Sequence, residues 1–255
     1  MRCLFFSKDN LWSNTLFAHL NKDKPKINWV RCMHTSDYKK FNEDNVDWAF
    51  FFHWSYLVPK EIYDNNRCVV LHTSNLPNCR GGSPLQHQII NNIYFSHVNA
   101  IHMSDRVDGG PVYCSKKVSL QGSLTDIWLS IARESRILVS ECVENDLIPV
   151  PQVAFNKVVK RRRTCEIPID KIKNLNDLYN YVRMLDAEGY DNSFVKVGPL
   201  KIKLSRAKII DNRNILADAI IEMEDDENIK AHAAVTGAEV GFKISEKFMI
   251  IREAL

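Results

Sequence analysis

His72 and Asp108 are the residues whose types and surroundings best suit proton-transfer chemistry. His72 closes an apolar run, Cys68–His72 (CVVLH). After it come Thr73, Ser74, Asn75 and a loop rich in turn residues: Pro77, Gly81, Gly82 and Pro84. An imidazole accepts and releases protons near neutral pH, and a neighbouring carboxylate orients it. Asp108 stands 36 residues later in a second Gly-rich loop, Asp105–Pro111 (DRVDGGP). In open α/β sheets, ligands bind beyond the carboxyl ends of the strands. Glycine there lets a backbone approach a ligand closely. The two loops are therefore expected to face one crevice. A histidine at a strand end is more often structural than catalytic, and the surrounding loop together with Asp108 reverses that balance for His72.

Other polar residues carry weaker signals. His53 ends the neighbouring apolar run, so its side chain can reach the same crevice or simply cap a strand beside Trp54. His97 and His102 lie five apart in an extended segment and point to opposite faces, a poor metal pair. The seven cysteines, at 3, 32, 68, 79, 114, 142 and 165, are odd in number and contain no CxxC. That supports neither a disulfide framework nor a zinc ribbon, so no metal is assigned. Most read as buried free thiols. Cys79 lacks an evident base partner and is not expected to be a nucleophile. Ser74 and Asn75 also suit turn formation. The run Lys157–Arg163 (KVVKRRR) and the cluster Glu222, Glu224, Asp225, Asp226 and Glu227 read as solvated faces, with phosphate binding by Lys160–Arg163 as the other reading.

The elements that must position these groups follow from hydrophobic patterning. Strands are expected at Arg2–Phe6, Ile27–Cys32, Trp48–His53 and Cys68–His72, the third buried on both faces. Helices are expected at 10–20, with Asp9 or Asn10 as N-cap, in PKEIYD after Pro59, at Ser83–Asn92 with Ser83 as N-cap, and at Ser123–Glu144. Residues 97–104 and 112–119 read as extended. Strands alternating with helices predict an α/β fold, a Rossmann-like, mostly parallel sheet with helices on both faces. Near 149 the pattern changes. Beyond it a helix is expected over 175–185, with strands over 194–210 and 241–251. Residues 1–150 are read as the main domain and 151–255 as a linker, a helix and a small β-rich C-terminal subdomain.

The chain has 255 residues, 45% of them hydrophobic and 25% charged, which excludes wholesale disorder and collagen-like or coiled-coil organisation. Its net charge of +3 is too small to imply DNA binding. The longest apolar run, Trp48–Phe52, is far below the roughly 20 residues a membrane span needs. Cys3–Phe6 is too short for a signal peptide. The expected location is the cytoplasm, with no membrane partner.

The spaced elements His72, Ser74, Leu76, Pro77, Gly81 and Asp108, with Val58–Ile62 (VPKEI) upstream, resemble the folate-dependent formyltransferases over residues 48–130. That family has Asn-x-His at a strand end, Ser-x-Leu-Pro-x-x-x-Gly in the loop, and an Asp in a Gly-rich loop about 35 residues on. The resemblance implies 10-formyltetrahydrofolate as co-substrate and an amine as acceptor. His72 and Asp108 become the catalytic pair. Trp54, Ser55, Arg80, Gly81, Gly82, Ser104, Asp105 and Val107 are expected to bind the folate. One departure is clear: Val70 stands where the family has Asn, so the amide that would steady the developing oxyanion is missing. His53, Ser55, Ser74, Asn75 and the backbone of 104–110 are the candidate replacements.

Downstream, Tyr181–Phe194 and Leu200–Ala207 resemble the region after the catalytic domain of amino-sugar formyltransferases. With the chain length, this favours a nucleotide-linked amino sugar as acceptor. Formylation of an aminoacyl group on tRNA or on a carrier protein is the alternative, as is a lapsed module that binds folate without turnover. A homodimer is left open.

Overall fold

The computed structural model describes residues 1–43, 45–145, 147–153 and 158–223. Lys157, the expected strand at 241–251, and Glu224, Asp225, Asp226 and Glu227 lie outside them.

A six-stranded sheet organises the chain. It is built from β1 (Arg2–Ser7), β2 (Asn28–Cys32), β3 (Trp48–Phe52), β4 (Cys68–Thr73), β5 (Phe95–His102) and β6 (Val112–Ser119), in the order β2-β1-β3-β4-β5-β6. The first four strands are parallel; β5 runs antiparallel to β4, and β6 antiparallel to β5. β3 is buried throughout, as its unbroken apolar run requires.

The sheet's two faces are covered differently. On one lie α1 (Leu11–Asp23), α3 (Pro84–Ile90) and α4 (Leu124–Glu144), whose Trp12, Leu16, Leu85, Ile127 and Ile131 pack on Phe5, Phe50, Phe52 and Leu71. On the other, a 3-10 turn (Thr35–Phe41) and α2 (Lys60–Asn65) bring Tyr38, Phe41, Ile62 and Tyr63 onto Leu4, Phe6 and Phe51. Each fully buried Phe on this sheet contributes about 2 kcal/mol. The sheet is thus a rigid base for the loops at its carboxyl edge.

The helix caps follow local chemistry. Asn10 caps α1, its side chain accepting from the Ser13 N–H at 2.9 Å. Ser123 and Asp126 form a capping box on α4. Ser83 departs from expectation. It stands at φ +53° and makes no side-chain cap to α3; its Oγ instead accepts the Arg162 N–H at 3.1 Å.

The C-terminal part holds α5 (Leu175–Arg183) and a separate antiparallel sheet of β7 (Ser193–Val197), β8 (Leu200–Ile209) and β9 (Ile215–Met223). The segment 194–210 is therefore two strands. Gly198 at φ +57° and Pro199 turn the chain in two residues, and a proline cannot continue the ladder. Arg183 of α5 is buried. It donates to the carbonyls of Leu120 and Gly122 at 2.6 and 3.0 Å and to Asn180 at 2.7 Å, which fastens α5 to the main sheet's edge.

Candidate functional site

The carboxyl ends of β1, β3 and β4 open into a cleft of about 900 Å³. It lies at the switch point where β1 is flanked by β2 and β3, the position expected for an open α/β sheet. Its walls include Lys8–Asn10 after β1, 53–58 after β3, His72 and Thr73 of β4, and the loop 103–108.

His72 and Asp108 meet in this cleft. Nδ1 of His72 lies 3.4 Å from Asp108 Oδ2, with the side chains 7% and 14% exposed. The same carboxylate oxygen accepts the Gly81 N–H at 2.9 Å. Nε2 of His72 lies 3.4 Å from the Cys79 carbonyl oxygen. Both neighbours of the ring are acceptors, so a neutral imidazole can donate to only one. The tautomer with its proton on Nδ1, toward Asp108, leaves Nε2 to take a proton from a bound amine. From behind, Asn99 of β5 faces His72 across the sheet. Its Nδ2 donates to the carbonyls of Ser74 at 2.8 Å and His72 at 3.3 Å, and its Oδ1 accepts from Ser115 at 2.7 Å.

Val70 shares the cleft face of β4 with His72, two residues on. It stands in register between Phe51 and Ile101, so the strip beside His72 is apolar.

Of the replacement donors named from sequence, Ser55 and the backbone of the 104–110 loop border the cleft, whereas Ser74 and Asn75 lie off its wall. Ser74 is fully buried and off the cleft wall. Asn75 is turned to the rim of β5, its Nδ2 donating to Phe95 O at 3.3 Å and its Oδ1 meeting His97 Nδ1 at 2.8 Å. His53 lines the cleft, but both its ring nitrogens are engaged. Trp12 Nε1 donates to Nδ1 at 3.2 Å, so the ring proton sits on Nε2, facing the Tyr190 hydroxyl at 3.2 Å. That hydroxyl also accepts from Trp128 at 3.2 Å and pairs with Gln86. Burial, aided by the positive charges of Lys8 and Arg161, pushes the His53 imidazole down to about 4. It is a neutral structural hub at neutral pH.

Gly81 and Gly82 line the cleft and also have a use that was not expected. A Cβ on Gly81 would lie 2.6 Å from Val159 O, and one on Gly82 2.5 Å from Arg161 Cα. The pair admits the segment 158–162, which bonds there through Val159 N to Arg80 O (2.7 Å) and Gly82 N to Val159 O (2.9 Å). It thereby places Arg161–Arg163 on the cleft wall. Nothing local in the sequence marked this contact.

Of the expected folate contacts, Trp54, Ser55, Gly81, Gly82, Ser104, Asp105 and Val107 line the cleft. Arg80 does not. It is 4% exposed, with its guanidinium packed under Gly109. The wall's formal charges balance, with Lys8, Arg106 and Arg161–Arg163 against Asp9, Asp105, Asp108, Glu188 and Asp191. A single-sign steering field is therefore not built in. Burial pushes the Cys79 thiol up, against a nucleophilic role. Among the described residues, no group of three His, Cys, Asp or Glu is placed to hold a metal ion, and no helix is long and apolar enough to cross a membrane.

Comparison with known proteins places this geometry. Residues 165–222 match the family described as methionyl-tRNA formyltransferase, C-terminal domain. A methionyl-tRNA formyltransferase of Bacillus thuringiensis subsp. konkukian is 25% identical over 239 residues, covering 88% of this chain and 73% of that protein. The structure of a methionyl-tRNA formyltransferase from Clostridium thermocellum superposes with a TM-score of 0.81 at 29% identity, covering 88% of this chain and 100% of that one. The chain belongs to the formyltransferase superfamily.

Two other solved structures share the fold at lower identity. HypX from Aquifex aeolicus, solved in complex with tetrahydrofolic acid, gives a TM-score of 0.63 at 16% identity over 81% of this chain and 38% of that one. A sugar N-formyltransferase from Shewanella sp. FDAARGOS_354 gives 0.58 at 16% over 78% of this chain and 93% of that one. The expected affinity to amino-sugar enzymes is therefore not the stronger one; the methionyl-tRNA enzymes match at higher identity. The cleft also fits a pterin chemically. Phe51, Val70, Ile101 and Met103 offer apolar surface, and Ser104–Asp108 offers polar edges.

Proposed function

We propose that this chain transfers a formyl group from 10-formyltetrahydrofolate to a primary amine, with an aminoacyl amine on tRNA or a carrier as the acceptor. The observation that carries the reading is the His72–Asp108 pair at the cleft, 3.4 Å apart, in a superfamily chain. The acceptor rests on the match of residues 165–222 and on the higher identity to methionyl-tRNA enzymes than to the sugar enzyme. A nucleotide-linked amino sugar follows as the second acceptor class.

10-Formyltetrahydrofolate, when bound, supplies the formyl carbon and leaves as tetrahydrofolate. His72 Nε2 takes the proton that the attacking amine must lose. Asp108 holds the imidazole in the tautomer that leaves Nε2 open and steadies its charge once protonated. The Gly81 N–H pins the carboxylate. The apolar strip Phe51–Val70–Ile101 excludes water beside the reacting carbon. It supplies no hydrogen bond to a developing oxyanion, and one such donor is worth about 100- to 1,000-fold in rate. That same strip is the observation favouring a second reading, a folate-binding module without turnover.

The test is incubation of the purified chain with 10-formyltetrahydrofolate and, separately, methionyl-tRNA, an aminoacylated carrier protein and UDP- and dTDP-linked amino sugars, with formylated product read by mass spectrometry. Formyl-aminoacyl product is expected. Formylation of a sugar alone would move the acceptor to the second class. Tight folate binding with no product on any amine would favour the module.

A further inference from the structure

We propose that Gln152 is a positioning residue that sets the catalytic carboxylate through the backbone of its loop, an inference that rests on the formyltransferase reading of His72 and Asp108. Gln152 follows α4 and is carried beside the sheet by a short bridge, in which Val112 N donates to Val150 O at 2.8 Å and Val150 N to Val112 O at 2.9 Å. From there its Nε2 donates at 2.9 Å to both the Asp108 carbonyl and the Gly110 carbonyl. These two residues flank Gly109 at the tip of the loop that presents the carboxylate.

The loop needs such a clamp. Asp108 sits at φ +49°, the left-handed region that residues with a side chain adopt reluctantly. The tip's own turn bond is Gly109 N to Arg106 O at 2.9 Å. Just beyond it, Gly110 is pressed so closely on β5 that a Cβ would fall 1.9 Å from His102 O. Relaxation of Asp108 to an ordinary backbone would swing its carboxylate away from both His72 and Gly81. By tying the carbonyls on either side of Gly109 to one amide, Gln152 ties the left-handed conformation to the fixed end of β6. Its own Oε1 is buried and finds no partner among the described residues, so the donor end carries the contact.

Gln152→Leu removes the donor, and Gln152→Glu keeps the size while turning an acceptor toward two carbonyls. Amide exchange followed by NMR reads the loop without substrate. Gly81 should exchange at least about tenfold faster in either variant, because its acceptor is the Asp108 carboxylate. Gly82, whose N–H goes to Val159 O, should keep its protection. In the formyl-transfer assay kcat should fall about 10- to 100-fold, the scale of a misplaced catalytic group, with KM for the folate changed less than about threefold. In an Asp108→Asn background, Gln152→Leu should add no further loss. Unchanged Gly81 exchange, equal loss of protection at Gly82, or losses that multiply in the double variant would each overturn the assignment. If the wild-type chain formylates nothing, the functional reading fails, while the Gly81 and Gly82 comparison still decides whether Gln152 sets Asp108.

Discussion

Gly81 gives its N–H to the oxygen of Asp108 that faces His72, at 2.9 Å, and so ties the loop after β4 to the loop after β5 at the reacting pair. The Gly-rich loop is thus built into the carboxylate's position from one side, while its other side receives the segment 158–162. His72 Nδ1 and the Gly81 N–H converge on one oxygen atom of Asp108.

The pair itself gives the first prediction. His72→Ala removes the only imidazole aimed at Asp108 among the described residues, and Asp108→Asn removes the charge that steadies it. Each variant should lower kcat by at least about 100-fold, the lower end for a general base, with circular dichroism unchanged. Wild-type rates in both would displace the site.

Val70 offers a gain-of-function test. Val70→Asn would put an amide on the cleft face two residues before His72, between Phe51 and Ile101. If the missing donor limits the rate, kcat should rise about 10-fold or more. The amide also enters an apolar strip, so the melting midpoint should drop by the equivalent of about 1–2 kcal/mol. A variant that loses stability and gains no rate would mean that another group already serves the oxyanion.

The main sheet was legible because β1, β3 and β4 are continuous apolar runs, which only burial on both faces explains. The placement of His72 and Asp108 was legible because His72 lies near the end of β4 and Asp108 in the turn-rich loop after β5. The rest depended on tertiary partners that local pattern does not record. Gly81 and Gly82 read as a ligand-approach loop, and local pattern does not record that Val159 and Arg161 also pack on them from about 80 residues away. Asn75 and Asn99 are the same residue type near the same strand end. Only the sheet register shows that Asn99 supports His72 while Asn75 faces β5's rim. β9, exposed along most of its length, lacks the alternation that marks a half-buried strand.

His53 makes the fold sensitive to acid. Its imidazole is held at about 4 in the folded chain, below the ordinary 6.5, by burial and by Lys8 and Arg161. The unfolded chain therefore binds more protons between those two values. Stability is full above pH about 6.5 and is lost as pH falls through the window to 4, by up to about 3 kcal/mol. Denaturant titrations at pH 7 and 4.5 should show this drop, and His53→Gln should shrink it while lowering stability at pH 7, since the Trp12 and Tyr190 contacts loosen. An equal drop in wild type and variant would assign the acid sensitivity elsewhere.

Gly82 tests how the basic segment reaches the cleft. A methyl there would lie 2.5–2.6 Å from three Arg161 atoms, two of them backbone, which cannot rotate away. Gly82→Ala must push the segment 158–162 outward, breaking the bond from Gly82 N to Val159 O and displacing Arg161–Arg163 from the wall. Overpacking of this kind costs about 1–3 kcal/mol. If the arginines touch the acceptor, its KM should rise by more than the folate's, because the apolar strip proposed for the folate lies on separate elements, β3, β4 and β5. Equal changes in both constants would mean that the segment only closes the cleft. Ser83→Ala, which deletes just the Oγ that accepts from Arg162 N, should reproduce a weaker version of the same effect.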